Sequence, residues 1–232
     1  MLDPVSAVAL PDYSHIADRL GDQGWCVVPG FLPATTTASL AAEVEEAWQS
    51  GCFRHAGVGR GQSWELRPEV RSDKVLWLDQ ASCTPSQALY LDQLEQLRQA
   101  INSRLFLGLF DFEGHHAVYP PGACYRKHVD QFRDLGTRLV TCVLYLNPQW
   151  HSSWGGALRL YLEPGGEGAF LDIPPQGGQL VTFLSRDFYH EVLPATRNRF
   201  SIAGWFRRRS QGGNPPLPGH FSAVGQAAAT VC

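Results

Sequence analysis

Apolar residues recur at helical spacing in three places in the first half of the chain. Tyr13 to Leu20 places Ile16 and Leu20 four apart, which predicts a short helix stopped by Gly21 and Gly24, and the apolar run Trp25-Cys26-Val27-Val28 before Pro29-Gly30 predicts a first strand. Pro33 and the threonines after it open a second helix. Its Leu40, Val44 and Trp48 share one face while Glu43, Glu45 and Glu46 take the others, and Gly51 ends it. Thr84 as N-cap and Pro85 at the first helical position begin the longest helix, whose Leu91, Leu94, Leu97, Ile101 and Leu105 keep helical spacing. Between the second and third helices, Cys52 to Pro68 has neither period and is rich in Gly and Arg, so it reads as a long mobile loop. Loops longer than about 12–15 residues inside a compact domain are usually functional or disordered. Val75-Leu76-Trp77-Leu78 follows as a strand.

From His115 onward the pattern changes to short strands separated by Gly, Pro and Asn. The expected strands are His116 to Tyr119, Tyr125 to Val129, Arg138 to Leu146, Leu158 to Leu162, Phe170 to Ile173, Gln179 to Phe183, His190 to Leu193 and Arg199 to Phe206. Helices first and strands afterwards make the class α+β rather than α/β. The run fits a double-stranded β-helix, a jelly-roll or cupin-like barrel, with the N-terminal helices as support. The expected organisation is a single domain over residues 1–232. Residues 13–105 carry helices, first strands and loop, 115–209 the barrel, and 210–232 a turn-rich C-terminal tail laid over it. The first 12 residues, with two prolines and no period, form a loose leader.

Composition narrows the function classes. With 44% hydrophobic and 18% charged residues over 232 positions, the chain is globular and long enough for a sizeable core. A net charge of -3 offers no general attraction to nucleic acid. No apolar run approaches the roughly 18–20 residues of a membrane helix. The six cysteines lack C-x-x-C spacing and no signal segment precedes them, which points to reduced thiols in a cytoplasm. Gly57, Gly59 and Gly61 do not make a G-x-G-x-x-G nucleotide loop, and no apolar strand precedes them. A monomer is expected.

The candidate chemistry lies in the strand-rich half. In extended backbone His128 and Asp130 leave the same face and can share one metal ion, and His190 arrives from a strand about sixty residues later. Two imidazoles and a carboxylate on one face of an octahedral ion leave three open positions, as in non-haem Fe(II) oxygenases. A bare H-x-D is common, and a lone strand histidine is more often a hydrogen-bonded core residue. The weight comes from the second histidine, the β-rich spacer and Arg199 together. Of the other histidines, His115 and His116 are adjacent, so on a strand they face opposite sides and cannot chelate together. Strand alternation puts Arg199 on one face with Ser201 and Ala203, opposite Phe200 and Ile202. If that face lines the lumen, Arg199 is a buried guanidinium in need of an anion, and a dicarboxylate would bind it bidentately.

Several blocks in order carry a family likeness: Tyr119-Pro120-Pro121-Gly122, Tyr125 to Asp130, Val140 to Asn147, Gly155 to Arg159, and His190-Glu191-Val192 with Arg199. From about Trp25 to Arg207 the chain resembles the Fe(II)- and 2-oxoglutarate-dependent prolyl 4-hydroxylases, most of all the branch of the hypoxia-inducible-factor prolyl hydroxylases, and its brevity points to a bacterial member. The resemblance implies Fe(II) on His128, Asp130 and His190, with 2-oxoglutarate and O2 as cosubstrates and ascorbate as an accessory. It implies Arg199 and Tyr145 on the distal carboxylate, and Tyr119, Tyr125, Val143, Leu158, Val192 and Trp205 around the cosubstrate. It also makes the stretch before Arg71-Ser72-Asp73 a substrate-covering finger loop, with Arg54, Arg60, Trp64 and Arg67 as contacts to a protein that presents a prolyl loop. The chain departs from the animal enzymes at Ala203, where they carry a threonine, and in the shorter segment Ser185 to Tyr189.

Two other readings stay open on the residues alone. One is an oxygenase for a free amino acid or another small metabolite, and the other is a non-catalytic barrel holding Zn(II) or serving as a scaffold. Arg199 argues against the latter, because a structural zinc site needs no carboxylate clamp beside it.

Overall fold

The computed structural model describes residues 11–58, 65–131 and 136–209. Three helices precede most of the strands: α1 (Tyr13–Gln23), α2 (Ala34–Gln49) and α3 (Pro85–Leu105). Asp12 caps α1 by accepting from the His15 N–H, and α3 starts at the expected Thr84, which with Gln87 makes a capping box and accepts from the Gln87 N–H at 3.2 Å. One expected stop is not a stop. α1 runs through Gly21 to Gln23 and closes on left-handed Gly24 (φ 82°). A Cβ on Gly21 would come within 2.8 Å of Leu105 Cδ2, so this glycine is where α1 presses on α3.

Among the described residues eleven strands follow the chain as β1 (Trp25–Val28), β2 (Arg54–His55), β3 (Lys74–Trp77), β4 (Leu109–Tyr119), β5 (Tyr125–His128), β6 (Arg138–Tyr145), β7 (Leu158–Tyr161), β8 (Phe170–Ile173), β9 (Leu180–Leu184), β10 (His190–Val192) and β11 (Arg199–Arg208). They form two antiparallel sheets, a larger one in the order β1-β9-β6-β11-β4-β3-β2 and a smaller one in the order β5-β10-β7-β8. This is the double-stranded β-helix expected from the strand spacing.

Two cores separate the layers. Between the helices and the outer face of the larger sheet lie Leu20, Leu40, Leu94, Leu97 and Ile101 with Val118, Leu144, Ile202 and Phe206. Between the two sheets lie Ala117, Tyr119, Val143, Tyr145, Leu158 and Val192. Alternating residues of β4, β6 and β11 therefore serve different cores, as period-two strands buried on both faces must.

Two stretches differ from expectation. β4 begins at Leu109 instead of His116; a glycine inside the run disguised it. That residue, Gly114, pairs with Gly204 of β11, and a Cβ on Gly114 would sit 2.8 Å from the Phe112 ring, which lies over the glycine pair and packs on Tyr90 of α3. The stretch Cys52 to Pro68 is partly tied down. β2 pairs with β3, and Val58 and Glu65 exchange both backbone hydrogen bonds at 2.9 Å. Among the described residues no helix is long and apolar enough to cross a membrane.

Candidate functional site

β10 lies between β5 and β7, and its first residue pairs with the last residue of β5, so His190 stands opposite His128 with ring centroids 4.2 Å apart. β5 ends at His128, so Asp130 sits just past the strand and turns its carboxylate back between the rings. Oδ1 is 3.5 Å from His128 Nε2, and Oδ2 is 3.6 Å from His190 Nε2. The donor atoms of the three residues lie within 4.8 Å of one another. One ion about 2.0–2.2 Å from each donor spans such separations.

The surroundings prepare these groups for a metal. His128 Nδ1 donates to the Arg126 carbonyl at 2.7 Å and His190 Nδ1 to the Phe188 carbonyl at 3.2 Å, which leaves both Nε2 lone pairs aimed inward. The Tyr125 ring stacks on His128 at 3.5 Å, and Phe183 meets His190 edge-on at 4.8 Å. Burial and the neighbouring His128 push the His190 imidazole down to about 4, so it is neutral and can coordinate. Burial alone would raise the Asp130 carboxyl, but the facing imidazoles outweigh it and hold the group well below the usual carboxylate range.

Thr141 of β6 fixes the carboxylate. Its hydroxyl donates to Asp130 Oδ2 at 2.8 Å, so the 2.9 Å contact with Ser185 must have Ser185 as donor. Thr141→Val should therefore weaken metal binding about 10- to 100-fold with little change of fold, measured by Fe(II) or Co(II) titration. Wild-type affinity in that variant would show that the hydroxyl does not orient the ligand.

The other end of the lumen holds a cation. Arg199 opens β11 opposite Tyr119, the last residue of β4, and is 1% exposed. Its Nε donates to the Gly156 carbonyl at 2.8 Å, and its guanidinium lies 5.0 Å from the centroids of both Tyr119 and Tyr145. Arg199 Nη2 and the Tyr145 hydroxyl are buried with no partner. Burial, opposed by Arg199, pushes the Tyr145 hydroxyl up to about 12, so it keeps its proton and can donate. Two unpaired donors beside a buried positive charge make a site for an anionic oxygen.

A cleft of about 490 Å³, counted out to solvent, joins the two ends. Tyr119, Tyr125, Val143, Leu158, Val192 and Trp205 line it. Tyr145 packs against Arg199, which lines the cleft. Ser201, on the face expected to carry Arg199, also lines it, as do three polar residues that sequence reasoning had left out of the site: Arg71, His115 and Thr141. Alternation could have found two of them, since Thr141 shares a face with Val143 and Tyr145, and His115 shares one with Ala117 and Tyr119 once β4 is extended backward. Arg71 is held by two bonds to buried Asp73, at 2.7 and 2.9 Å, and lies 4.7 Å over the Tyr125 ring. Around it, Arg71 bridges to Tyr125 and the Arg126 N–H donates to the Val70 carbonyl, so the end of the loop is fastened to β5.

Of the expected loop contacts, the described Arg54 and Arg67 do not line the cleft. Arg54 belongs to β2 and donates to the Gly51 carbonyl at 2.9 Å, while Arg67 pairs with Glu69 at the surface. Arg60 and Trp64 lie outside the described residues.

The profile of the 2OG-Fe(II) oxygenase superfamily matches residues 114–207. Egl nine homolog 1 of Homo sapiens is 32% identical over 212 residues, which cover 88% of this chain and 48% of that protein, so the chain spans about half of its curated relative's length. A crystal structure of a Pseudomonas putida prolyl-4-hydroxylase superposes with a TM-score of 0.76 at 43% identity, over 85% of this chain and 99% of that one. A Trichoplax adhaerens prolyl hydroxylase, solved in complex with a hypoxia-inducible-factor oxygen degradation domain peptide fragment, superposes with a TM-score of 0.75 at 29% identity, over 84% and 88%.

Proposed function

The chain belongs to the prolyl 4-hydroxylases of the 2OG-Fe(II) oxygenase superfamily, and we propose that it hydroxylates C4 of a prolyl residue in a protein substrate while 2-oxoglutarate becomes succinate and CO2. The observation that carries this reading is a His-Asp-His donor set and an unpaired buried guanidinium N–H on one lumen.

In this reading His128, Asp130 and His190 hold Fe(II). When bound, the iron supplies the redox chemistry by which O2 places one oxygen atom in succinate and the other in a substrate C–H bond. Arg199 Nη2–H and the Tyr145 hydroxyl take the distal carboxylate, and each gains the partner it lacks. That anchoring orients the cosubstrate along the lumen toward the donor set. The aromatic and aliphatic walls exclude water from the reacting end. Arg71, locked by Asp73, keeps Tyr125 stacked on His128.

A protein partner is supported by the bound peptide of the Trichoplax neighbour and by Trp77, an aromatic side chain 50% exposed whose ring packs on His115 of the cleft wall. The loop supplies the test. Replacing residues 59–64 with an Asn-Gly link keeps the Val58–Glu65 pair in a tight hairpin. Fe(II) and 2-oxoglutarate affinity should be unchanged, while hydroxylation of a folded protein target falls about tenfold or more, the equivalent of about 1.4 kcal/mol. Succinate release and the gain of one oxygen on the target proline are the measurements. A normal rate on the folded target would favour the hydroxylation of a small metabolite instead.

A further inference from the structure

The strands of the larger sheet pair in register, so the lumen is built in rows. One row runs from Trp77 on β3 through His115 on β4 and Ala203 on β11 to Val143 on β6, each opposite the next. Three members of the row are apolar or aromatic, and the fourth is an imidazole.

His115 is 2% exposed, lines the cleft, and has no hydrogen-bond partner on either ring nitrogen. Buried polar groups are almost always paired, so two open nitrogens facing a cleft mark the place of an absent ligand. Its ring stands between those of Trp77 and Trp205, with centroids 5.0 and 5.6 Å away. The charges nearby are already engaged: Arg71 with Asp73, Arg138 with Glu113, and Asp130 with Thr141. His115 is not in the metal donor cluster, and the anion end begins two rows away, at Arg199 and Tyr119. The function proposed above does not use it.

The chemistry of the absent ligand follows from the neighbours. Burial, reinforced by Arg71 and Arg138, holds the imidazole well below its ordinary range and hence uncharged, so it offers one N–H donor and one bare nitrogen. Two arginines close by disfavour a cation, and aromatic walls suit a neutral ligand with apolar faces. A peptide amide beside a saturated ring has both features.

We propose that His115 is a specificity-determining residue whose imidazole hydrogen-bonds a main-chain amide of the substrate next to the ring being oxidised, while Trp77 and Trp205 pack on that ring. This rests on the prolyl hydroxylase reading and adds to it a substrate contact on β4.

The test uses the full chain loaded with Mn(II) and 2-oxoglutarate in the absence of O2. A library of proline-centred peptides is screened against the wild-type protein, and the peptides that bind are titrated into variants. His115→Leu should weaken peptide binding about 5- to 150-fold, because a buried partner is left unpaired, while 2-oxoglutarate affinity stays as in the wild type. His115→Gln, which keeps a donor and an acceptor, should recover most of the loss. In the Zn(II)-loaded wild-type protein the ¹⁵N signals of the His115 ring should move when peptide saturates the site, and this readout does not depend on any variant folding. Unmoved ring signals, or peptide binding in His115→Leu as tight as in the wild type, would overturn the assignment of His115. A wild-type protein that binds none of the prolyl peptides would overturn the hydroxylase reading and this proposal with it.

Discussion

Alanine at His128, Asp130 or His190 is expected to abolish Fe(II) retention and 2-oxoglutarate turnover while the barrel stays folded. The donor set has three members and no fourth protein ligand among the described residues, so a variant keeps only two. Disturbing groups that merely orient a ligand costs about 10- to 100-fold in metal affinity, and removing the ligand itself costs more. Asp130 should be the most sensitive, because it brings the negative charge and accepts from Thr141 at 2.8 Å. Alanine there leaves two neutral imidazoles facing a divalent ion. The fold should tolerate each change, since the three side chains sit at the lumen and the cores that join helices to sheet do not include them. Without metal, the variants should melt within a few degrees of the wild type, given about 2–4 °C per kcal/mol for a chain of this size. Metal titration, succinate release and thermal melts of the metal-free proteins together make the measurement. Wild-type turnover in any one of the three would remove that residue from the site.

How legible the fold was depended on how local its determinants are. The α3 start at Thr84-Pro85 and the strand at Trp25–Val28 follow from neighbouring residues, and sequence reasoning placed both at the right positions. Gly21 misled because a glycine's meaning depends on what approaches it. It looked like a helix stop and is where Leu105 of α3 comes close; Gly114, inside β4, lies under Phe112 in the same way. His128, Asp130 and His190 were readable as residue types and spacing, and alternation put Arg199 on one face with Ser201 and Ala203, but which face looks into the lumen is set by the fold. Thr141 and His115 stayed hidden for another reason. A threonine or histidine on a strand is ordinary until the register shows that one reaches Asp130 and the other opens on the cleft without a partner. The segment around Arg54 looked structureless because a two-residue strand has no period to detect, and only its pairing with Val75 defines it.

Arg199→Ala should raise the 2-oxoglutarate requirement about 10- to 150-fold, the equivalent of losing one charge-assisted contact of about 1.5–3 kcal/mol, with Fe(II) affinity unchanged. The two ends of the lumen are separate structures: the metal donors lie around β5 and β10, whereas Arg199 lies on β11 between the rings of Tyr119 and Tyr145. Removing the guanidinium has a second consequence. The Gly156 carbonyl loses the Nε–H that it accepts at 2.8 Å, so some loss of stability is expected in addition to the loss of affinity. The choice of cosubstrate separates these effects. A 2-oxo monoacid has no distal carboxylate and gains nothing from Arg199, so the wild-type preference for 2-oxoglutarate over 2-oxobutyrate should collapse in the variant. A general loosening of the barrel would weaken both acids alike and leave their ratio intact. Arg199→Lys should recover only part of the preference, because an ammonium cannot both reach Gly156 and present the planar fork that meets a carboxylate. If Arg199→Ala needs no more 2-oxoglutarate than the wild type and still discriminates against the monoacid, the distal carboxylate is held elsewhere, and the unpaired Nη2–H and Tyr145 hydroxyl must serve another anion.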